Sequence, residues 1–141
     1  MTKFYEYFKE NMDGLGLPAP NSLFGTVQTA VANVTIILSH IDKFGRAVTL
    51  RELAAAGTKL ECLSVIAACS AAFYAGAVVG SIAIASGRTL AGGTSIADVI
   101  FMARQNGLDR EWLLRSMYQW PAIYNPSIEH RKIYHTRALP L

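Results

Sequence analysis

The residues of this sequence best suited to binding a metal are two cysteines and a pair of C-terminal histidines. Cys62 and Cys69 are seven positions apart, which puts both thiols on one face of a helix, and no histidine or carboxylate stands at ligand spacing nearby. His130 and His135 lie among basic residues, where a solvated tail is the simpler interpretation. The pattern predicts small core cysteines and surface histidines, with no metal site and no cofactor.

Nucleotide binding and acid–base catalysis are the next chemistries to consider. The stretch 87–94 has the glycines of a phosphate-binding loop, but Gly93 stands where such a loop needs lysine, and the preceding residues are typical of a helix. Asp98, Asp109 and Glu111 are explained as helix caps or surface residues. Because no nucleophile, base and orienting group occur together, we predict that the protein is not an enzyme.

Composition excludes several other classes. The chain has 141 residues, of which 52% are hydrophobic and only 16% charged, whereas an average soluble protein has about 25% charged residues. This length is enough for one domain with a core and too short for two domains of ordinary size. Thirteen basic and ten acidic residues give a net charge of +3, spread too thinly for a nucleic-acid interface. A compact apolar domain and a membrane-active protein are the classes left.

The N-terminal segment is amphipathic and has no export signal. Charges alternate with aromatic residues, unlike a Sec signal peptide, so we expect synthesis in the cytoplasm without a signal peptide. The spacing predicts a short helix over 1–13, ended by the glycines and prolines of 14–20. This helix either packs on the domain or anchors at a membrane interface through Phe4, Tyr5, Phe8 and its lysines.

A second helix is predicted over 22–41, where His40 is the only residue that can carry a charge, with Asn21 and Ser22 as its cap. One face is apolar and consists of Leu23, Val27, Ala30, Val34, Ile37, Leu38 and Ile41. The other face carries hydroxyls and amides, which favours burial against protein or contact with water inside a membrane. Its candidate pore-lining residues are Ser22, Thr26, Thr29 and Asn33.

The stretch 62–86, which contains neither a charge nor a proline, is long enough to cross a membrane as a helix. Its 25 residues would span about 37 Å, against about 30 Å for the hydrocarbon core of a bilayer. Fourteen of them are Ala, Gly or Ser, so insertion is only marginally favoured. Small residues every four positions allow close helix packing and predict a glycine zipper at Ala68, Ala72, Gly76 and Gly80. The alternative is an alanine-rich central helix of a soluble bundle.

Shorter signals delimit the remaining elements. They predict a charged connector over 42–46, a capping box at Thr49 and Glu52, a turn over 87–94, a helix from Ser95 to a stop at Asn106 and Gly107, and a last helix over 110–118 ended by Pro121. Aromatic and basic residues mix in the C-terminal third, as they do at membrane interfaces and protein contacts. The candidate interface residues there are Trp112, Tyr118 and Trp120.

Together these patterns predict an all-α fold. We expect a small helical bundle or hairpin with one or two conditionally membrane-inserting helices. The single domain, 1–141, would consist of an N-terminal amphipathic segment (1–20), a helical core (21–118) and a basic tail (119–141).

The row Ala72-x-x-x-Gly76-x-x-x-Gly80, its uncharged surroundings and the size of the chain resemble the small glycine-zipper pore-forming effectors of the bacterial type VI secretion system. The row departs from the zipper pattern at Ile84. The resemblance implies carriage inside the ring of the haemolysin-coregulated tube protein, insertion into the inner membrane of a rival cell, self-association in the bilayer, ion leakage and depolarisation. It also implies a cognate immunity protein that protects the producing cell.

Two other interpretations are open at this point. A phage holin or another small inner-membrane protein would share the size, the spans and the basic tail, but would act from the cytoplasmic side. A soluble helical interaction module with an alanine-rich core would be monodisperse in buffer without detergent or carrier.

Overall fold

A computed structural model describes residues 3–17, 19–45, 48, 49, 52, 71–91 and 96–119 of the chain. Within these residues it has six helices: α1 (Lys3–Leu15), α2 (Asn21–Phe24), α3 (Val27–Phe44), α4 (Ala71–Ala91), α5 (Ile96–Gln105) and α6 (Glu111–Gln119). The same residues contain no strand, so the prediction of an all-α fold is confirmed. The predictions on Cys62, Cys69, the C-terminal histidines and the tail beyond 119 lie outside them.

α1 confirms the predicted N-terminal helix but ends later, at Leu15 instead of residue 13. Gly14 stays helical, and Gly16 ends the helix with a φ of +75°, a conformation that favours glycine. Two backbone hydrogen bonds of 3.0 Å close the last turn, from Gly16 N to Asp13 O and from Leu17 N to Met12 O. This Schellman motif satisfies the last carbonyls of α1.

The prediction of one continuous helix over 22–41 is wrong, because the chain breaks it into α2 and α3 at Gly25 and Thr26. Thr26 has an extended backbone, with φ −134° and ψ 163°. Its hydroxyl accepts a hydrogen bond of 3.1 Å from the Thr29 amide, which makes Thr26 the N-cap of α3. A capping hydroxyl therefore starts α3 six residues after the beginning of α2.

The two ends of this region also differ from the prediction. Pro20 takes the N-cap position of α2 in place of the expected Asn21–Ser22 cap, and no side chain caps that end. α3 continues into the expected connector (42–46) as far as Phe44, so the first three residues of that stretch are helical. Gly45, with φ +98°, ends α3 and donates its amide to a helix carbonyl.

α4 lies at the centre of the core. Among the described elements, α1 makes the largest contact with α4 and α3 makes the next largest. A row of aromatic rings joins three helices: Phe8 of α1 stacks on Phe24 of α2 at 5.1 Å between centroids, and Phe24 lies 6.3 Å from Tyr74 of α4. All three side chains are fully buried, so α2 is held between α1 and α4.

The predicted turn over 87–94 is wrong for its first five residues, which are the last five of α4. A glycine such as Gly87 weakens a helix by only about 1 kcal/mol relative to alanine. Adding residues to a helix already formed over 71–86 needs no new nucleation, so this cost does not stop it.

The capping box at Thr49 begins as predicted. The Glu52 amide donates to Thr49 Oγ1 at 3.2 Å, and the Thr49 hydroxyl donates to the Glu52 carboxylate at 3.1 Å. The helix expected after Glu52 lies outside the described residues. A hydrogen bond of 3.0 Å from Ala71 N to Val48 O ties the beginning of α4 to this segment.

α5 and α6 confirm the last two predicted helices, and α5 is followed by the predicted stop at Gly107. Gly107 has φ +69°, and Leu108 N donates to Ala103 O at 2.8 Å. This is the 6→1 hydrogen bond of a second Schellman motif. Four residues of this region are buried in the same core as α4: Val99, Ala103, Leu108 and Leu113.

Gly107 offers a test of the fold in which only backbone strain changes, because a Cβ built there has no neighbour within 4 Å. We expect Gly107→Ala to lower the free energy of unfolding by about 1–2 kcal/mol, the cost of a left-handed backbone for a residue with a Cβ. Gly107→Asn should lose less, because asparagine tolerates this conformation. Urea denaturation followed by circular dichroism measures both; equal losses for the two variants would contradict the assigned backbone.

Candidate functional site

The candidate site is the uncharged part of α4, residues 71–85. Every residue of this stretch is buried except Ala72, which is half-buried. A helix that is apolar all round occurs either in the core of a protein or across a membrane. Here protein covers it on all sides, and exposure begins at Ser86.

The predicted zipper residues lie on one side of α4. Gly76 and Gly80 are buried, Ala72 is half-buried, and Ala68 lies outside the described residues. At 100° per residue, Gly76 and Gly80 point about 100° to 160° around the helix from Ser81 and Tyr74. Since Ser81 and Tyr74 face α1 and α2, the zipper row lies on the other side of α4.

α1 covers α4 with an apolar face that contains one amide. The buried residues of α1 are Tyr5, Phe8, Asn11, Met12 and Leu15. Asn11 Nδ2 donates to Ser81 Oγ at 2.8 Å, and the two residues are only 5% and 0% exposed. A buried polar group without a partner is costly, so this hydrogen bond lowers the cost of burying both side chains in an otherwise apolar seam.

The anchor aromatics of the N-terminal segment are part of this cover. Tyr5 and Phe8 are buried, Phe4 is half-buried, and Phe8 packs against the core cluster. Tyr5 also donates its hydroxyl to Ala19 O at 2.7 Å. In this structure the aromatic face of α1 is therefore used for packing.

α3 covers α4 with the apolar face predicted from its sequence. Its buried residues are Ala30, Val34, Ile37, Leu38 and Ile41, and Leu23 is buried in α2. The prediction is wrong for Val27, which is 36% exposed in the first turn of α3. The outward positions of α3 are mixed until Asp42 and Lys43: Gln28, Thr35 and Ser39 are polar, whereas Ala32 and Ile36 are exposed apolar residues.

The four candidate pore-lining residues are at or near the break between α2 and α3. Ser22 and Thr26 are exposed, whereas Thr29 and Asn33 are half-buried. Asn33 Nδ2 donates to Leu23 O at 2.7 Å and to Thr29 O at 3.0 Å, so it ties α2 to α3. Thr26 is the N-cap described above. In this packed form three of the four stabilise the break between the helices.

The end of α3 carries a stack of rings that the predicted site does not include. His40 and Phe44 are parallel, 5.8 Å apart between centroids, and Lys43 Nζ lies 5.3 Å from the Phe44 ring. His40 Nδ1 is buried and has no hydrogen-bond partner within the described residues. The spacing of one ring four residues before another on a helix was the signal available for this stack.

The candidate interface residues of the C-terminal third are only partly described. Trp112 is half-buried and packs against the core cluster. Tyr118 lies in α6, and Trp120 lies outside the described residues. The most exposed apolar side chain of this region is Phe101 of α5, 68% exposed, which the sequence prediction missed.

Neither Asn11 nor Ser81 stands out in the sequence, although they form the polar contact inside the seam. The available signal was an amide on the apolar face of an amphipathic helix and a hydroxyl within a run of Ala, Val and Ile. Their pairing across 70 positions depends on how α1 packs.

Within the described residues, none of the helices combines the length and the apolarity needed to cross a bilayer. Nor do these residues bring together three or more side chains that could hold a metal ion. The chain matches no protein-family model, no curated protein and no solved structure at a significant level.

The burial of α4 predicts that one introduced charge strongly destabilises the fold at a buried position and has little effect on stability at an exposed one. Val78 is fully buried, so Val78→Lys places an unpaired ammonium in the core and should abolish cooperative folding or lower the free energy of unfolding by more than about 3 kcal/mol. Ser86→Lys on the exposed end should stay within about 0.5 kcal/mol of the wild type. Urea titration measures both, and a stable Val78→Lys variant would contradict the central position of α4.

Proposed function

We propose that this protein is an antibacterial pore-forming toxin that type VI secretion delivers, and that α4 enters the inner membrane of the target cell. The observation that supports this best is a helix without charge over 71–85, buried on all sides beneath separate amphipathic helices. Such a helix can exchange a protein cover for lipid, because both surroundings are apolar.

The composition of α4 suits a helix that enters a membrane only after the helices that cover it have moved away. Its alanines, glycines and serine make insertion only marginally favourable on the scale where one Leu or Ile contributes a few tenths of a kcal/mol. The uncharged residues 62–70 precede α4 in the sequence. Together with residues 71–86 they make the 25-residue stretch that is long enough for a span. α1 has a charged outer face and an apolar inner face, and α3 has an apolar inner face and a mixed outer face, which suits both helices to the membrane interface.

Self-association would use the zipper row. Ala68, Ala72, Gly76 and Gly80 would let α4 helices from several copies approach closely in lipid, where small residues replace the missing hydrophobic drive. The polar residues Ser22, Thr26, Thr29 and Asn33 would then face water in the conducting assembly. A neutral lining of this kind gives weak ion selectivity, so the expected result is ion leakage and depolarisation.

Delivery would need partners that keep the chain folded and the producer safe. The haemolysin-coregulated tube ring would carry the protein from the cytoplasm, where it is made, and a cognate immunity protein would protect the producer's own membrane. Trp112, Tyr118 and Trp120 are the proposed contact residues for such partners or for lipid headgroups. The proposed activity is not enzymatic.

A soluble helical interaction module is the second candidate. Phe101, 68% exposed on α5, supports it, because a large exposed aromatic side chain is a common anchor in protein contacts. This candidate predicts a monodisperse protein that binds a partner and leaves vesicles intact.

Dye-loaded vesicles of phosphatidylethanolamine and phosphatidylglycerol test pore formation by purified protein. We expect the wild type to release dye, and Gly76→Ile or Gly80→Ile to release it at least about tenfold more slowly per membrane-bound molecule, because a bulky side chain separates the helices. Ser86→Ile adds the same side chain to α4 outside the row and should release dye as the wild type does. Vesicle flotation measures the bound amount.

The vesicle outcomes separate the candidates. No release by the wild type at any lipid composition would exclude the pore. Equal release by Gly76→Ile, Gly80→Ile and Ser86→Ile would keep the pore and remove the zipper from it.

Expression in two compartments distinguishes a delivered effector from a holin-like or other small inner-membrane protein. We expect strong growth arrest and loss of membrane potential when the chain is directed to the periplasm, and weak effects from the cytoplasm. A holin-like protein would show the opposite order. A pull-down with the purified tube ring measures carriage directly, and a ring that never retains the chain would contradict delivery by this route.

A further inference from the structure

α1 is the largest cover of α4, and its two faces differ sharply. Its inward residues are apolar except Asn11, whereas five exposed residues carry charge: Lys3, Glu6, Lys9, Glu10 and Asp13. Lys9 Nζ lies 2.9 Å from Asp13 Oδ2, a hydrogen bond that raises the pKa of Lys9 above 10.5. The charged face keeps α1 at a surface, and the apolar face can pack on either α4 or lipid.

α3 is fastened to elements other than α4. Asn33 bonds the Leu23 carbonyl of α2, and the Asp42 carboxylate at its far end accepts from Arg110 Nε at 2.8 Å, next to the start of α6. Phe24 of α2 packs on Tyr74 of α4, so α2 is itself held in the core, and moving α3 away from α4 would break the bonds of α3 to α2 and to Arg110 as well. α3 is therefore the cover that stays.

Among the described contacts, α1 has ties of a different kind. Phe8 stacks on Phe24 of α2, an apolar contact that lipid can replace. Tyr5 donates to Ala19 O in the connector that follows α1, so this bond moves together with the helix. Asn11 is bonded across the seam to Ser81 of α4, and that bond must break when α1 leaves.

Asn11 and Ser81 would have different hydrogen-bond partners once α1 separates from α4. A serine inside a helix can return its hydroxyl to the carbonyl four residues earlier, here Ala77, so Ser81 can be satisfied within α4 in lipid. An asparagine side chain has two donors and an acceptor and needs water or headgroups. Asn11 therefore suits a helix at the interface, and Ser81 suits a helix that enters.

We propose that α1 is the releasable cover of α4 and that the buried Asn11–Ser81 hydrogen bond is its fastening. Release transfers the aromatic face of α1 to the membrane interface and exposes the side of α4 that carries Tyr74 and Ser81. This inference rests on the proposed function for its consequence, but the opening of α1 can be measured without a membrane.

Asn11→Ala tests the fastening and leaves α4 unchanged, with Asn33→Ala as the matched control. Both variants remove an amide that bonds another helix, but Asn33 joins α2 to α3. Hydrogen exchange of the wild type in buffer should show the amides of α1 opening before those of α3. Asn11→Ala should accelerate exchange in α1 about tenfold, whereas Asn33→Ala should leave it within about twofold.

Vesicle release by the wild type, Asn11→Ala and Asn106→Ala completes the test. We expect Asn11→Ala to release dye about tenfold faster than the wild type, and Asn106→Ala to match the wild type, because the Asn106 amide bonds Met102 O at the end of α5 and lies outside the proposed pore. A cysteine pair from Asn11→Cys and Ser81→Cys, with Cys62 and Cys69 changed to serine, should release dye only after reduction, because a disulfide would hold α1 in place.

Each outcome decides one of the two proposals. Equal acceleration of α1 exchange in Asn11→Ala and Asn33→Ala, or none in Asn11→Ala, would overturn the fastening even if the wild type releases dye. Selective acceleration in Asn11→Ala with no dye release by any protein would support the releasable cover and exclude the pore. Dye release that is equally fast in the wild type, Asn11→Ala and Asn106→Ala would overturn the proposal that release of α1 opens the way for α4 to enter the membrane.

Discussion

The need to cover α4 on every side is the constraint on which the rest of the structure depends. Residues 71–85 offer water no charged face, so the surrounding helices must supply all of the contact. α1 and α3 therefore turn apolar faces inward, and α2 brings Phe24 into contact with Phe8 and Tyr74. Because residues 71–85 are buried except for half-buried Ala72, their side chains could be small and uncharged without harm to the folded protein.

Features with local causes could be predicted from the sequence. The all-α class, the apolar face of α3 and the stop at Gly107 follow from periodicity and from the backbone freedom of glycine. The break at Gly25 and Thr26 was missed because a threonine within an apolar period is as typical of a helix interior as of a cap. The helical state of 87–91 was missed because glycine next to arginine and threonine is typical of turns, whereas the existing helix extends through it.

The candidate site was predictable in composition and not in arrangement. The zipper residues could be named from their spacing, but whether Gly76 and Gly80 face α1 depends on how the helices pack. The hydroxyls and amides near the start of α3 could be identified, but the bond from Asn33 to Leu23 O needs the break that the sequence hid. Asn11 and Ser81 are 70 positions apart, and no periodicity links residues at that separation.

That separation also has a consequence during synthesis. α1 leaves the ribosome before α4, and its partner surface on α4 is made about 60 residues later, after the whole of α3. The aromatic face of α1 therefore stays unpacked on the nascent chain until α4 is made. A long loop must then close to complete the core. Until α4 is made, the apolar residues of α1 and α3 are exposed to other proteins and to the cell's own membrane. The chain is thus most exposed to wrong contacts during its synthesis. A factor that binds nascent α1 would act before α4 is made.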